Sequence, residues 1–197
     1  DAIVAPAHDN LKGHNIYSSK GAIHYITEQE INNSKKYLAD KVEGEKIVAL
    51  ILGGPNKYYN FNSDQILSIF NQIKSIFVSS GYKVITIPSM RTPKEIIDLA
   101  IREMGQHGHV VNKVDKQAYL SAYALANYVI VTCDSTSMIS EAATSGKPIF
   151  IAHMKAKKNN YRFKRFFELF NQMGITRNLG EKVETWTYNK HNEAQRI

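Results

Sequence analysis

Residues 127–151 constrain the fold more than any other stretch of the chain. They run strand, polar turn, helix, glycine stop, strand. Tyr128–Thr132 is a short β-branched run of the kind a buried parallel strand requires. Asp134, Ser135, Thr136 and Ser137 crowd the turn that follows, and these are N-cap residue types. Met138, Ile139, Ala142 and Ala143 then supply one apolar helical face. Gly146 fits the position after the last helical turn, and Pro148 keeps the helix from continuing. A helix N-terminus at the carboxyl end of a parallel strand is a ready anion site. Glu141 lies one turn further in, where a carboxylate can accept from ribose hydroxyls. Polar caps also occur in βαβ units that bind nothing, so spacing alone leaves a ligand site and a plain capped turn both open.

The chain has 197 residues, enough for one sizeable domain or one domain plus a remnant. Hydrophobic residues make up 43% and charged residues 22%, the balance of a soluble globular protein. No apolar run approaches the ~20 residues that span a bilayer. The first residue is Asp1 rather than Met, and a strand follows at once, so the chain is expected to begin inside a larger protein. One cysteine, Cys133, rules out an internal disulfide framework and suits a reducing, cytoplasmic compartment. The net charge of +7 favours anionic partners without choosing among phosphates, acidic lipids and nucleic acid.

Strand and helix patterns alternate along the chain. Extended pieces are expected at residues 3–5 and 22–25, and a capping box at Thr27 and Glu30 starts a helix expected to run to Gly44. Lys46–Leu52 is the clearest strand and ends in Gly53-Gly54-Pro55-Asn56. Ser63 or Asp64 caps a helix whose face is Ile66, Phe70, Ile73 and Phe77, and Gly81 stops it. A strand at residues 83–87 leads to Ser89, Arg91 and Thr92, where Thr92 at N-cap, Pro93 at N1 and Glu95 at N3 predict a helix start. A short strand at Val110 and Val111 and a helix opened by Asp115 precede the first motif. This alternation implies an α/β fold, a Rossmann-like parallel sheet flanked by helices with right-handed crossovers.

Three of these turns follow strands: Gly53 and Gly54; Ser89, Arg91 and Thr92; and residues 134–137. In a parallel sheet those ends share one edge, so three distant stretches converge on one crevice. The glycines would let backbone N–H groups approach a ligand, and Arg91 can hold a phosphate bidentately. Taken singly, the glycines also fit a tight turn and Arg91 a solvated surface position. The chain lacks GxGxxG and GxxxxGK[ST], which argues against a standard dinucleotide fold or P-loop.

The strand, serine-rich turn and Glu141 resemble the second domain of GT-B glycosyltransferases and nucleotide-sugar epimerases. A longer series of motifs is similar to the family of the plant mitochondrial-fission protein named for elongated mitochondria and its bacterial relatives. It runs through His8 with Asp9, Gly13 with Asn15, Gly21 with His24, Gly53 with Gly54, Ser89-x-Arg91-Thr92-Pro93, Asp134 to Met138, Glu141, Gly146-Lys147-Pro148, Lys164 with Phe167, and Trp186 with Tyr188. Met90 stands where that family usually carries a second arginine. The resemblance implies the C-terminal half of a GT-B-type two-domain protein. Residues 1–44 would be the end of an N-terminal domain with its linker, and residues 45–197 the C-terminal Rossmann-like domain with its tail.

The activity implied is that of a nucleotide-sugar-dependent glycosyltransferase or epimerase-like enzyme. Its ligand would be a nucleoside diphosphate or nucleotide sugar, with no further cofactor. Phosphates would rest on Arg91 and on the helix start at Ser135, Thr136 and Ser137, and the ribose on Glu141. The alternative implied is a non-catalytic adaptor that recruits partners at a membrane surface.

Outside these turns, His8 and Asp9 form either an acid/base pair at an interdomain cleft or a capped turn. His107 and His109 lack carboxylate or thiolate partners in sequence, so no metal site is expected. Lys155, Lys157, Lys158, Arg162, Lys164 and Arg165 interleave with Tyr161, Phe163, Phe166, Phe167 and Phe170. That pattern fits an amphipathic helix with a solvated basic face, or a peripheral contact with an acidic membrane. A nucleic-acid partner rests on charge alone and is not expected.

Overall fold

The computed structural model describes residues 2–42 and 46–196. Six strands form one wholly parallel sheet: β3 (Lys46–Leu52), β4 (Tyr82–Pro88), β5 (Gly108–Val110), β6 (Tyr128–Thr132), β7 (Ile149–Ala152) and β8 (Thr176–Asn178). Their spatial order is β5-β4-β3-β6-β7-β8. Counted from β3, this is the doubly wound order 3-2-1-4-5-6, in which the chain reverses direction across the sheet between β3 and β6. A separate parallel pair, β1 (Ile3–Pro6) and β2 (Ile16–Ser19), precedes it.

The sheet is central because its strands are apolar on both faces. In β3, Ile47, Ala49 and Ile51 point to one side and Val48, Leu50 and Leu52 to the other, and all six are buried. The first side packs against α1 (Glu28–Asn33), α4 (Lys116–Leu125), α5 (Thr136–Ala143) and α6 (Tyr161–Gln172). The second packs against α2 (Ser63–Ile73) and α3 (Lys94–Met104). Helices therefore cover both faces. A last short helix, α7 (Glu193–Arg196), closes the chain.

Several local expectations hold, and others give way to stronger local chemistry. The α2 face of Ile66, Ile69, Phe70, Ile73, Ile76 and Phe77 is buried throughout. Asn62, rather than Ser63 or Asp64, caps that helix, accepting from the Gln65 amide at 3.0 Å. Its last turn widens over Lys74–Val78, where the Ser79 amide reaches the Lys74 carbonyl at 3.0 Å. Gly81 follows at φ +82°, a conformation that favours glycine.

The capping box at Thr27 and Glu30 forms, but α1 ends at Asn33 instead of running on to Gly44. Asn32, Asn33 and Ser34 are weak helix formers, and the Ser34 hydroxyl donates to the Glu30 carbonyl at 2.9 Å. Gly44 itself lies outside the described residues. The extended piece expected at residues 22–25 is not a strand. Its backbone docks on α5 instead, the Ala22 amide donating to Ser140 Oγ at 2.9 Å. Among the described residues no helix is long and apolar enough to cross a membrane.

Candidate functional site

The carboxyl ends of β3, β4 and β6 lie side by side, and their three turns are tied together there. The centre of the knot is Asp134, whose side chain is wholly buried. It accepts from the Gly54 amide at 2.9 Å, the Thr132 hydroxyl at 2.7 Å and Arg91 Nη2 at 2.7 Å. Arg91 Nη1 also donates to the Gly54 carbonyl at 2.9 Å, and the Gly53 amide donates to Thr132 Oγ1 at 2.9 Å. Burial pushes the Asp134 carboxyl's pKa upward, while the Gly54 amide, the Thr132 hydroxyl and Arg91 pull against that rise.

This geometry explains the two glycines by internal packing. A Cβ on Gly53 would lie 2.0 Å from the Asp134 carboxylate, and one on Gly54 would lie 2.0 Å from the Arg91 carbonyl. The space that sequence alone reserves for a ligand is therefore filled by Asp134 and the Arg91 backbone. Thr92 departs from its expected role in the same way. Pro93 occupies the N-cap of α3, and no side chain caps that helix. The Thr92 hydroxyl instead accepts from the Ser89 amide at 2.8 Å and lies 2.6 Å from the Gly53 carbonyl, locking two turns together.

Beside the knot opens a pocket of about 420 Å³. Four of the candidate residues line it: Ser89, Arg91, Ser135 and Glu141. Gly53, Gly54, Thr92 and Asp134 are buried in the framework behind it. Thr136 and Ser137 begin α5 but do not belong to the lining, and Ser135 caps the helix by accepting from the Met138 amide at 3.3 Å. Tyr119, Met138 and Lys116 are also part of the lining and were not singled out by sequence as site residues. The Asp115 cap of α4 is the signal that places Tyr119, one turn further on.

Glu141 is held in a chain of hydroxyls. Tyr123 donates to Tyr119 at 2.7 Å, and Tyr119 donates to Glu141 Oε2 at 2.5 Å. Burial pushes both phenols' pKa values well up, so Tyr119 stays protonated and keeps Glu141 as its acceptor. The Tyr119 hydroxyl thus orients a carboxylate that belongs to the pocket lining. Cys133, next to Asp134, is fully buried, and burial raises its thiol to about 11, so it is no nucleophile.

His8 and Asp9 do not reach this pocket. His8 is buried edge-on against Phe166, with centroids 5.3 Å apart, and burial lowers its pKa, so it is neutral. Asp9 pairs with Arg162 at 2.5 Å, and Arg165 donates to the His8 carbonyl at 2.6 Å. The two arginines thus clamp the His8–Asp9 turn onto α6. Among the described residues no group of three or more His, Cys, Asp or Glu side chains gathers in a way that would hold a metal.

A doubly wound parallel sheet, with its pocket at the strand ends beside the point where the chain reverses, defines a Rossmann-like α/β domain. The family model described as Mitochondrial fission ELM1 matches residues 1–197, and the chain belongs to that family. It is 29% identical over 198 residues to an uncharacterised protein of Rickettsia prowazekii, covering 96% of this chain and 55% of the relative. It is 23% identical over 181 residues to the mitochondrial fission protein ELM1 of Arabidopsis thaliana, covering 88% and 42%. The chain thus spans about half the length of the curated relatives it matches.

Among solved structures, the S. aureus MnaA–UDP co-structure matches with a TM-score of 0.55 at 10% identity, over 89% of this chain and 44% of that one. A Listeria monocytogenes protein presumed to be a UDP-N-acetylglucosamine 2-epimerase matches at 0.52 and 12%, over the same shares. At these identities the likeness is one of fold.

Proposed function

We propose that this chain carries the donor-binding part of a nucleotide-sugar-dependent glycosyltransferase or epimerase-like enzyme. The observation that carries the proposal is the pocket at the carboxyl edge, with Ser135 and the start of α5 on one wall, Arg91 on another and the oriented Glu141 at its side. The diphosphate of the ligand sits against the α5 N-terminus and the remaining N–H groups of Arg91. Glu141 accepts from the ribose hydroxyls. The Staphylococcus relative of this fold was solved with UDP, which supports the ligand class.

Calorimetry with a panel of nucleoside diphosphates and nucleotide sugars tests this. Binding is expected to be detectable. Glu141→Ala and Ser135→Ala should each weaken it by about 1 kcal/mol or more, roughly fivefold, through lost hydrogen bonds to charged or ribose groups. Tyr119→Phe should weaken it less, because it frees Glu141 to rotate without removing the acceptor.

One observation favours a second reading, a non-catalytic adaptor at a membrane surface. Arg91 already holds Asp134 and the Gly54 carbonyl, contacts a dedicated phosphate ligand would leave open. No heat with any nucleotide at millimolar concentration would move the assignment there.

A further inference from the structure

A second pocket, of about 480 Å³, opens past the end of β7 and takes its walls from Tyr59 and Phe167. Its polar lining is His153, Lys158, Asn159, Asn160, Tyr161 and Lys164, and no carboxylate belongs to it. Lys158 and Lys164 are exposed. Among the described residues neither joins an ion pair. Their ammonium groups rest over tyrosine rings, Lys158 at 5.6 Å from the Tyr58 centroid and Lys164 at 5.9 Å from that of Tyr161. The nearby arginines differ. Arg162 and Arg165 are committed to Asp9 and His8, so the segment's arginines hold the fold together while its lysines remain open to solvent and to anions.

The backbone under these lysines is fixed. Tyr59 and Ala156 form an antiparallel bridge, and the Lys157 amide donates to the Tyr58 carbonyl at 2.7 Å. The twelve-residue α6 starts at the pocket with no side-chain cap, because the Asn160 amide group turns away to donate to the Tyr59 hydroxyl at 2.7 Å. The positive end of that helix adds to the two ammonium charges. Two lysines and a helix start converging on a concave space suit a compact, multiply charged anion. A nucleic-acid strand needs an extended basic groove instead.

We propose that the Lys158 and Lys164 pocket binds a phosphate-bearing group, at a site separate from the one holding Ser135 and Glu141. Two sources share this chemistry: a soluble phosphate monoester, and the headgroup of an acidic lipid.

The test uses the full chain. Inorganic phosphate and glycerol 3-phosphate are titrated by NMR, and flotation is measured with phosphatidylcholine vesicles with and without phosphatidic acid. The double substitution Lys158→Gln with Lys164→Gln should weaken binding about tenfold or more, since each cation at an acidic surface contributes separately. Lys12→Gln with Lys182→Gln removes the same charge from exposed positions outside both pockets and should leave binding unchanged. Phosphate-induced shifts without vesicle flotation assign the soluble source. Flotation only with phosphatidic acid, lost in the double variant, assigns the lipid. Equal loss in both double variants overturns the proposal in favour of diffuse charge, and no binding of any probe overturns it outright. Ser135→Ala, at the phosphate-facing wall of the other pocket, should leave these titrations intact. If it abolishes them, the phosphate is entering the other pocket and this site is refuted, whatever the nucleotide titrations show.

Discussion

Asp134→Ala should lower the stability of the chain by about 3–5 kcal/mol, a large part of the ~5–15 kcal/mol typical of a whole domain. The carboxylate is fully shielded from water and satisfies three donors from three different segments. Removing it strands the Gly54 amide without an acceptor, frees Arg91 from its partner, and opens a gap against Gly53, where the missing side chain makes room for that carboxylate. Urea unfolding followed by circular dichroism should show the midpoint falling with an unchanged slope, the signature of lost stability at constant exposed surface. Asp134→Asn keeps the shape but presents an N–H group to neighbouring donors, and should cost about 1–3 kcal/mol. A loss below about 1 kcal/mol for the alanine variant would mean that the knot does not hold the sheet edge together.

The second large effect lies at the far end of the chain. The buried Glu193 accepts from the Lys20 amide at 2.8 Å, the Gly21 amide at 3.3 Å, His191 Nε2 at 2.8 Å and Arg196 Nη2 at 2.8 Å. It joins α7 to residues 20–21, about 170 positions away in sequence. Burial alone would raise its pKa. Arg196, the two amides and His191 outweigh burial, and the net shift is downward from 4.5. A carboxylate with a depressed folded pKa contributes stability that is fully present above its unfolded value. That contribution is lost as pH falls through the folded one. The protection factors of the Lys20 and Gly21 amide protons, measured against the intrinsic exchange rate at each pH, should therefore be high at neutral pH and fall as pH drops below about 4.5. Glu193→Ala should abolish the protection at every pH and cost about 3–5 kcal/mol. Protection of those two amides that survives in the alanine variant would show that another contact docks the tail.

How much of this was legible beforehand depended on the range of the interaction. The strands β3, β6 and β7 were readable because parallel strands covered on both faces must be continuous apolar runs, and Lys46–Leu52 leaves no other choice. The α2 face was readable because a helix repeats its buried positions within a few residues. β8, three residues at the sheet edge with Arg177 and Asn178 exposed, carries no such pattern. α1 is shorter than its sequence predicts because its cap is strong while its end depends on three weak helix formers in a row. Convergence of the three turns followed from topology alone. Their occupants did not: Gly53 and Gly54 signal close approach of something, but only the folded chain reveals that Asp134, 80 residues on from Gly54, is what approaches. Tyr119 escaped for a related reason. Its partner Glu141 sits 22 residues away on another helix, and no local period links them.

The buried thiol of Cys133 has a practical consequence. Its depth and its raised pKa leave it unreactive toward alkylating reagents in the folded state. The native sequence is thus already a silent background for single-site labelling. A cysteine placed at the exposed Ser137, or at Lys158, would be the sole reactive sulfur, and a fluorophore there would report on one pocket without disturbing the other. Reaction of Cys133 itself would then be a clock for unfolding, since maleimide reaches it only when the sheet edge around Asp134 has opened.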